Sequence, residues 1–353
     1  MNLNTNNRIM LFPKLNKLLI VVFAIAFILA GLRGYQLFNY VFDENVKNPG
    51  SITIPHDANY EQVLDSIRAM DILENEKAFR WVAKKKNYPE SIKPGKYVFD
   101  KGMNTNSMIN MLKAGNQKPI AITFNNLRFM EELAGKVANY IEPDSTELIA
   151  YFRDSIVISR MGFDAYSFHA MFIPNTYEIY WTTSPEQFTE RMKAEYDRFW
   201  NNDRKAKAEA LGLSPIEVIT LASIVQEETI KADEKPIVAG LYINRIRKGM
   251  LLQADPTVKF ALGDFGIKRI LTRHLEIDSP YNTYKFAGLP PGPINFPEIS
   301  SIDAVLNPND NNYLYMCARE DFSGYHNFAR TLREHNANAQ RYRQALDQNQ
   351  IWQ

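Results

Sequence analysis

Cysteine is almost missing from this 353-residue chain, with Cys317 standing alone. A single thiol excludes an intrachain disulfide framework and any zinc site built on clustered cysteines. Histidine is scarce as well. The five present (His56, His169, His274, His326 and His335) show no HExxH or comparable ligand spacing, so neither a metal nor another cofactor is expected. Net charge is also lacking. Lys plus Arg number 41 against 40 Asp plus Glu, a formal charge of +1, which excludes a protein acting on nucleic acid through a global basic field. What remains is 45% hydrophobic and 23% charged, the balance of a folded chain and not of a disordered one. The length leaves room for about two domains plus an appendage.

The appendage is N-terminal. Leu18 to Leu32 is an uncharged apolar run, preceded by Lys14 and Lys17 and followed by Arg33. It is shorter than the roughly 20 residues a spanning helix requires. Lys17 and Arg33 can snorkel, however, and Tyr35, Leu37, Phe38 and Tyr40 extend the far side into an aromatic interface. Arg8, Lys14 and Lys17 come before the run without an acidic residue, which by the positive-inside rule puts the N-terminus in the cytoplasm. A cleaved signal peptide competes, since the run has the length of a signal h-region. Against it, the Ile28-Leu29-Ala30 cleavage site has a bulky first residue and no lipobox cysteine follows. A buried core helix is the third alternative. The favoured division is a cytoplasmic segment 1–17 and a transmembrane anchor with juxtamembrane segment over 18–40. The remainder then lies outside the cytoplasmic (inner) membrane, on its periplasmic side, where a lone thiol is tolerated if buried.

After a turn-prone stretch, Ser51-Ile-Thr-Ile54 alternates as a strand does. Tyr60, Val63, Leu64 and Ile67 follow at helical spacing, and Ala78, Phe79, Trp81 and Val82 mark a second helix. Lys93-Pro-Gly-Lys-Tyr-Val-Phe99 gives a turn and strand, and a short helix carrying Met108, Ile109, Met111 and Leu112 stops at Gly115. This order suits a small two-layer module over 45–118. A βααβ arrangement is that of the carbohydrate-binding LysM domains; an ordinary stabilising domain is the plainer alternative. The expected fold is α+β: an N-terminal transmembrane helix, this LysM-like βααβ-type domain, and a larger mixed domain over 119–353. That larger part reads as mostly helical to Gly212 and more irregular and proline-rich beyond. Two helix starts are well marked. Ser184-Pro-Glu-Gln187 and Ser214-Pro-Ile-Glu217 each offer a capping Ser, Pro at the first helical position, and a side chain to close the capping box.

The second of these helices, Ser214 to Thr229, carries the chemistry. At 100° per residue Val218, Leu221, Ala222, Val225 and Thr229 form one face. Glu227 falls opposite it and is expected to be solvated, with Gln226 to one side. Glu228 falls on the apolar edge between Leu221 and Ile224, where desolvation raises a carboxyl pKa. A carboxylic acid kept protonated near neutral pH is what glycosidic bond cleavage needs as general acid. The plain alternative is an ion pair between Glu228 and Arg245 or Arg247.

Three longer stretches bear on that choice: LASIVQEET (221–229), VAGLYINRIRKGMLLQADPTVKFALG (238–263) and SPYNTYKFAGLPPGPI (279–294). Together with IPNTYEIYW (173–181), KPGKYVFDKGM (93–103) and YHNFARTLREHN (325–336), they closely resemble the endolytic murein transglycosylases, the YceG-like family. The resemblance covers nearly the whole chain, including the anchor. Its catalytic glutamate precedes the threonine of the ASIxExET-type motif and maps onto Glu228. The chain departs from the pattern at Gln226, where Glu is frequent, at Asn175, where Asp is common, and at Asn125-Asn126, where an EG pair is usual. None of these touches Glu228.

The resemblance implies a lytic transglycosylase that cuts the β-1,4 bond between N-acetylmuramic acid and N-acetylglucosamine inside nascent peptidoglycan strands, leaving 1,6-anhydro ends. It also implies a catalytic YceG-like domain over 119–353, peptidoglycan strands and the cytoplasmic membrane as partners, and peptidoglycan synthases beside them. Substrate-binding roles follow loosely. Gln253 and Asp255 sit where they can bond sugar hydroxyls, though Asp255 beside Pro256 equally suits a helix cap. Tyr281, Asn282 and Thr283 offer an aromatic platform and an amide, or turn chemistry ahead of GLPPGP. Tyr177 and Glu178 are cleft or core-strand residues, and His326 reads as a structural hydrogen-bonder. A hydrolase working with Glu228 plus a second carboxylate, Asp255 or Glu178, and a non-catalytic peptidoglycan-binding scaffold are the alternatives.

Overall fold

The computed structural model describes residues 15–267 and 269–349; Arg8 and Lys14, on which the cytoplasmic placement of the N-terminus rests, lie outside them. The chain divides into two units. One comprises the described residues up to Pro119 together with Tyr180–Thr182, and the other runs over Ile120–Ile179 and from Thr183 onward.

The first unit opens with helix α1 (Leu15–Phe42). The run from Lys17 to Phe42 is long and apolar enough to cross a membrane, with a mean hydropathy of 2.3 in its most apolar window, and none of the described residues buries that window. The helix continues past the apolar run to Tyr40, whose ring meets Trp81 edge-on at 6.3 Å. Then come β1 (Gly50–Ile54), α2 (Tyr60–Ala69), α3 (Glu76–Lys85), β2 (Gly95–Phe99) and α4 (Thr105–Ala114). The strands pair antiparallel with Ile52 opposite Tyr97. Alternation along β2 buries Tyr97 and Phe99 against Val63, Leu64, Phe79 and Met108. α4 ends at Gly115 in the left-handed conformation, φ 76°, as its glycine foretold. Gln117 bonds Thr182 Oγ1 at 3.0 Å, tying the late three-residue segment to this unit.

The second unit contains β3 (Ile120–Thr123), α5 (Met130–Ala138), α6 (Ser145–Phe152), α7 (Ser155–Arg160), β4 (Thr176–Ile179), α8 (Pro185–Phe199), α9 (Asn202–Leu211), α10 (Pro215–Glu228), α11 (Lys235–Arg247), α12 (Asp255–Leu262), α13 (Ile299–Leu306), β5 (Tyr315–Ala318), β6 (His326–Ala329) and α14 (Leu332–Gln348). Strands β3 and β4 pair antiparallel, as do β5 and β6. The whole is mixed α+β with little sheet. Irregular chain is concentrated between α12 and α13, a narrower stretch than everything beyond Gly212.

Both expected capping boxes form, at Ser184 with Gln187 and at Ser214 with Glu217. The one-sided face expected for α10 does not hold: every residue from Val218 to Val225 is buried. The helix runs through the centre of the unit, and even its hydroxyls are bonded internally. Ser223 Oγ donates to Thr220 O at 2.7 Å and accepts from the Ile294 N–H at 3.0 Å. A helix apolar all round is a core helix.

Beside it, α11 carries Gly240 in its interior for a steric reason. A Cβ there would lie 2.5 Å from Asn309 O and 2.6 Å from Asn311 Nδ2. Gly240→Ala is expected to destabilise the protein by about 1–3 kcal/mol despite the better helix propensity of alanine. A denaturation midpoint equal to or above that of the parent would contradict this packing.

Candidate active site

The last turn of α10 sends three polar side chains in three directions. Gln226 Oε1 accepts from the Glu298 N–H at 2.7 Å and Ser301 Oγ at 3.1 Å. It thereby caps the start of α13, a task an uncharged oxygen performs. Glu227 is exposed, as expected, but it has partners. It accepts from Arg128 Nη2 at 2.8 and 2.9 Å and from Asn295 Nδ2 at 2.7 Å.

Glu228 forms no ion pair with either arginine. Its Oε1 accepts from the Tyr242 hydroxyl at 2.6 Å. Arg245 directs its donors at the carbonyls of Leu314 (2.6 Å), Leu251 (3.0 Å) and Leu252 (2.8 Å) and at Gln253 Oε1 (3.3 Å). Glu228 opens onto a cleft of about 430 Å³ whose lining includes Tyr242, Gln253, Asp255, Tyr284 and His326. Protein packed round the carboxyl pushes its pKa up to about 7, chiefly by desolvation. The Tyr242 hydrogen bond opposes that rise, the Asp255 charge adds to it, and His326 and Arg245 pull it back. The rise itself meets the expectation from the residue's place on the helix.

Removing the opposing hydrogen bond gives a directional test. Tyr242→Phe deletes a donor that favours the carboxylate, so the pKa of Glu228 should move further up. The alkaline limb of any activity needing the protonated acid should then shift to higher pH, with little change at low pH. An unshifted pH profile would mean that this contact does not tune Glu228.

The loop after α11 brings Gln253 and Asp255 into the same cleft. Gln253 holds a left-handed φ of 51°, a strained setting for a non-glycine residue. Its N–H bonds Thr283 O at 3.1 Å. Asp255 does not cap α12: it is the first helical residue, Ala254 occupies the cap position, and Asp255 Oδ1 accepts from the Tyr284 hydroxyl at 2.5 Å. His326 is oriented from behind. Its Nδ1 lies 3.0 Å from Oε2 of the buried Glu234, which also takes the His326 N–H at 2.7 Å and the Thr229 hydroxyl at 3.1 Å. Cys317 lines the cleft too, half-buried, and burial pushes its thiol up, away from the reactive thiolate.

The sugar platform expected at Tyr281, Asn282 and Thr283 is corrected by burial. Tyr281 packs its ring on Phe260 at 4.6 Å. Asn282 is fully buried and donates to Leu275 O and Ile277 O, both at 2.8 Å. Thr283 Oγ1 accepts from the Ala254 N–H at 3.0 Å and meets Thr257 Oγ1 at 2.8 Å. This is turn chemistry that fixes the Gln253–Asp255 loop. Tyr177 is a core residue on β4, stacked on Phe124 at 5.5 Å with its hydroxyl on Ile173 O. Glu178, opposite Ala121, faces solvent away from the cleft lining.

Tyr242, Tyr284 and Glu234 were not anticipated. Only Tyr284, directly after the Tyr-Asn-Thr motif, had a local signal. The two departures noted elsewhere have backbone explanations. Asn126 adopts φ 50°, the left-handed conformation that suits glycine and that asparagine tolerates. Asn175 Oδ1 accepts from the Thr176 N–H at 2.8 Å, a local turn needing no charge.

The model of the YceG-like family matches residues 52–341. A Bacillus subtilis endolytic murein transglycosylase is 29% identical over 333 residues, covering 89% of this chain and 90% of that protein. A Streptococcus pneumoniae endolytic murein transglycosylase is 26% identical, covering 86% of this chain but 61% of its own longer sequence. Among solved structures, a YceG-like protein from Listeria monocytogenes superposes with a TM-score of 0.55 at 26% identity, over 82% of this chain and 99% of that one. A match across most of the sequence, joined to a glutamate-bearing cleft in the matched region, makes this chain a member of the YceG-like family.

Proposed function

We propose that the protein is an endolytic lytic transglycosylase of peptidoglycan with Glu228 as its acid and base. The observation that carries this reading is one half-buried carboxyl, with its pKa pushed up to about 7, opening on a cleft of about 430 Å³. The names of its relatives in Bacillus subtilis and Streptococcus pneumoniae agree with it.

Protonated Glu228 gives its proton to the glycosidic oxygen as the bond to C1 of the muramic acid breaks. The C6 hydroxyl of the same sugar attacks C1, and its proton passes to the Glu228 carboxylate. The acid is restored, water is not consumed, and the new end is 1,6-anhydro-N-acetylmuramic acid. An attacking group already tethered to the reacting sugar has a high effective molarity, which removes the need for a second protein carboxylate. Tyr242 holds the proton donor in place, and Gln253 with the Tyr284-braced Asp255 is positioned to bond sugar hydroxyls.

Asp255 in the same cleft keeps a hydrolase in view, in which a second carboxylate serves as nucleophile at about 5–5.5 Å or as base at about 6.5–9.5 Å. Mass spectrometry of products from uncrosslinked nascent glycan separates the two. Anhydro ends from wild type and none from Glu228→Gln are expected. Hydrated reducing ends would overturn the transglycosylase reading, and cleavage undiminished in the variant would overturn the role of Glu228.

In the same reading α1 anchors the chain in the cytoplasmic membrane with both folded units on the outer side. The first unit is a LysM-like glycan-binding domain over 45–118 and the catalytic domain spans 119–353. Peptidoglycan synthases supply the strands that are cut. The unburied apolar α1 and the β-α-α-β-α order of the first unit support this arrangement.

A further inference from the structure

A second cleft, of about 500 Å³, lies on the Glu227 side of the α10 tip, lined by Asn126, Arg128, Gln226, Glu227, Lys235 and Asn295 among others. Its charged groups can be taken in turn. Arg128 and Glu227 neutralise each other at 2.8 Å. Glu132 accepts the backbone N–H groups of Arg128 and Phe129. Glu298 accepts a weak bond from Ser300 Oγ at 3.4 Å.

Lys235 is different. It is only 8% exposed, yet among the described residues its ammonium has no carboxylate within ion-pair distance and donates to one neutral group, Ser300 Oγ at 3.2 Å. It is also the first residue of α11, the helix end where the macrodipole disfavours a cation and favours an anion. The carboxylate of neighbouring Glu234 is committed to His326 and Thr229. A second group in the lining is likewise unsatisfied: Asn295, 2% exposed, leaves Oδ1 without a hydrogen-bond partner. Buried charge without a counter-ion and a buried orphan carbonyl both cost stability. Such groups are retained where a ligand completes them.

We propose that this cleft is a carboxylate-binding subsite for the peptide borne on the muramic acid of the strand being cut, with Lys235 as its anchor. The proposal rests on the transglycosylase reading. Glu227 and Glu228 are consecutive, so the two clefts share one helix tip. A peptide of about four residues reaches roughly 13 Å when extended, enough to cross a helix about 10 Å wide. A strand seated at Glu228 can therefore lay its peptide carboxylate on Lys235. The enzyme would prefer peptide-bearing strands over stripped ones.

The test uses full-length protein in detergent, wild type and Lys235→Met, with three readouts. The first is the ratio of kcat/KM for peptide-bearing over amidase-stripped strands, expected to fall about tenfold in the variant. The second is thermal unfolding, where loss of an unpaired buried cation is expected to raise Tm; a fall in Tm with an unchanged ratio would make Lys235 structural and overturn the proposal. The third is free stem tetrapeptide as probe, expected to raise the Tm of wild type and not of Lys235→Met. If wild type shows neither peptide preference nor a tetrapeptide shift, the subsite is absent whatever the variant does. A wild type that shifts with tetrapeptide but yields no anhydro ends would sink the transglycosylase reading and leave the subsite standing. A shift with inorganic phosphate equal to that with tetrapeptide would overturn the assignment to a peptide.

Discussion

Glu228→Gln is expected to lower formation of anhydro ends by at least about 10³-fold while preserving the fold. General acid–base catalysis by one positioned group contributes typically about 10²–10⁴, and in the proposed reaction a single group serves both halves. The amide keeps the shape and can still accept from the Tyr242 hydroxyl, so structure should persist. Stability supplies an independent readout with a definite sign. The folded carboxyl holds its proton to about pH 7, against 4.5 for the ordinary group. Between those values the folded state binds more protons than the unfolded one, so stability is fully present below pH 4.5 and is lost as pH rises through 7. The gap corresponds to about 3 kcal/mol. Glu228→Gln should abolish that loss, making the variant the more stable protein at pH 8 and removing its advantage at pH 4. Parallel stability curves for the two proteins would mean that folding does not raise the pKa of Glu228.

The largest stability effect is expected at Arg245, which is 7% exposed and bridges α11 to the Leu251–Gln253 loop and to Leu314 ahead of β5. Arg245→Met fills the volume but orphans three carbonyls, that of Leu252 buried and those of Leu251 and Leu314 half-buried, each worth about 1 kcal/mol or more. A loss of roughly 3–5 kcal/mol follows, accompanied by loosening of the loop that presents Gln253 and Asp255. Arg245→Lys should recover little of it, because a point-like ammonium cannot span the fan of carbonyls met by the planar guanidinium. Chemical denaturation measures both. A cost below about 1 kcal/mol for the methionine variant would show that water replaces the guanidinium without penalty.

These two residues also mark the boundary of what the sequence discloses. The raised pKa of Glu228 was legible from its position at the apolar edge of one helical segment, and the caps at Ser184 and Ser214 were legible from equally local signals. So was the small unit, whose strand alternation and glycine stop are local signals. Arg245 was not, because its role is set by carbonyls 6 to 69 residues away. Glu227 is exposed as expected, but its partner Arg128 was not legible because it lies 99 residues earlier. A projection around α10 assumed one wet face, and only the packing of α11, α13 and the Ile294–Asn295 segment removes it. Tyr281, Asn282 and Thr283 were ambiguous in principle. An aromatic, an amide and a hydroxyl in a row serve a sugar site and a buried turn equally well until burial decides.

The three-residue return of Tyr180–Thr182 to the first unit bears on how this protein is made. A ribosome delivers residues in order, so Gln117 waits through the sixty residues Ile120–Ile179 of the other unit before Thr182 exists to receive it. By then both β3 and β4 have emerged, and they bracket that delay. Neither unit can be completed on the strength of its own contiguous stretch of chain, and cutting the gene at Pro119 would send part of the first unit away with the second.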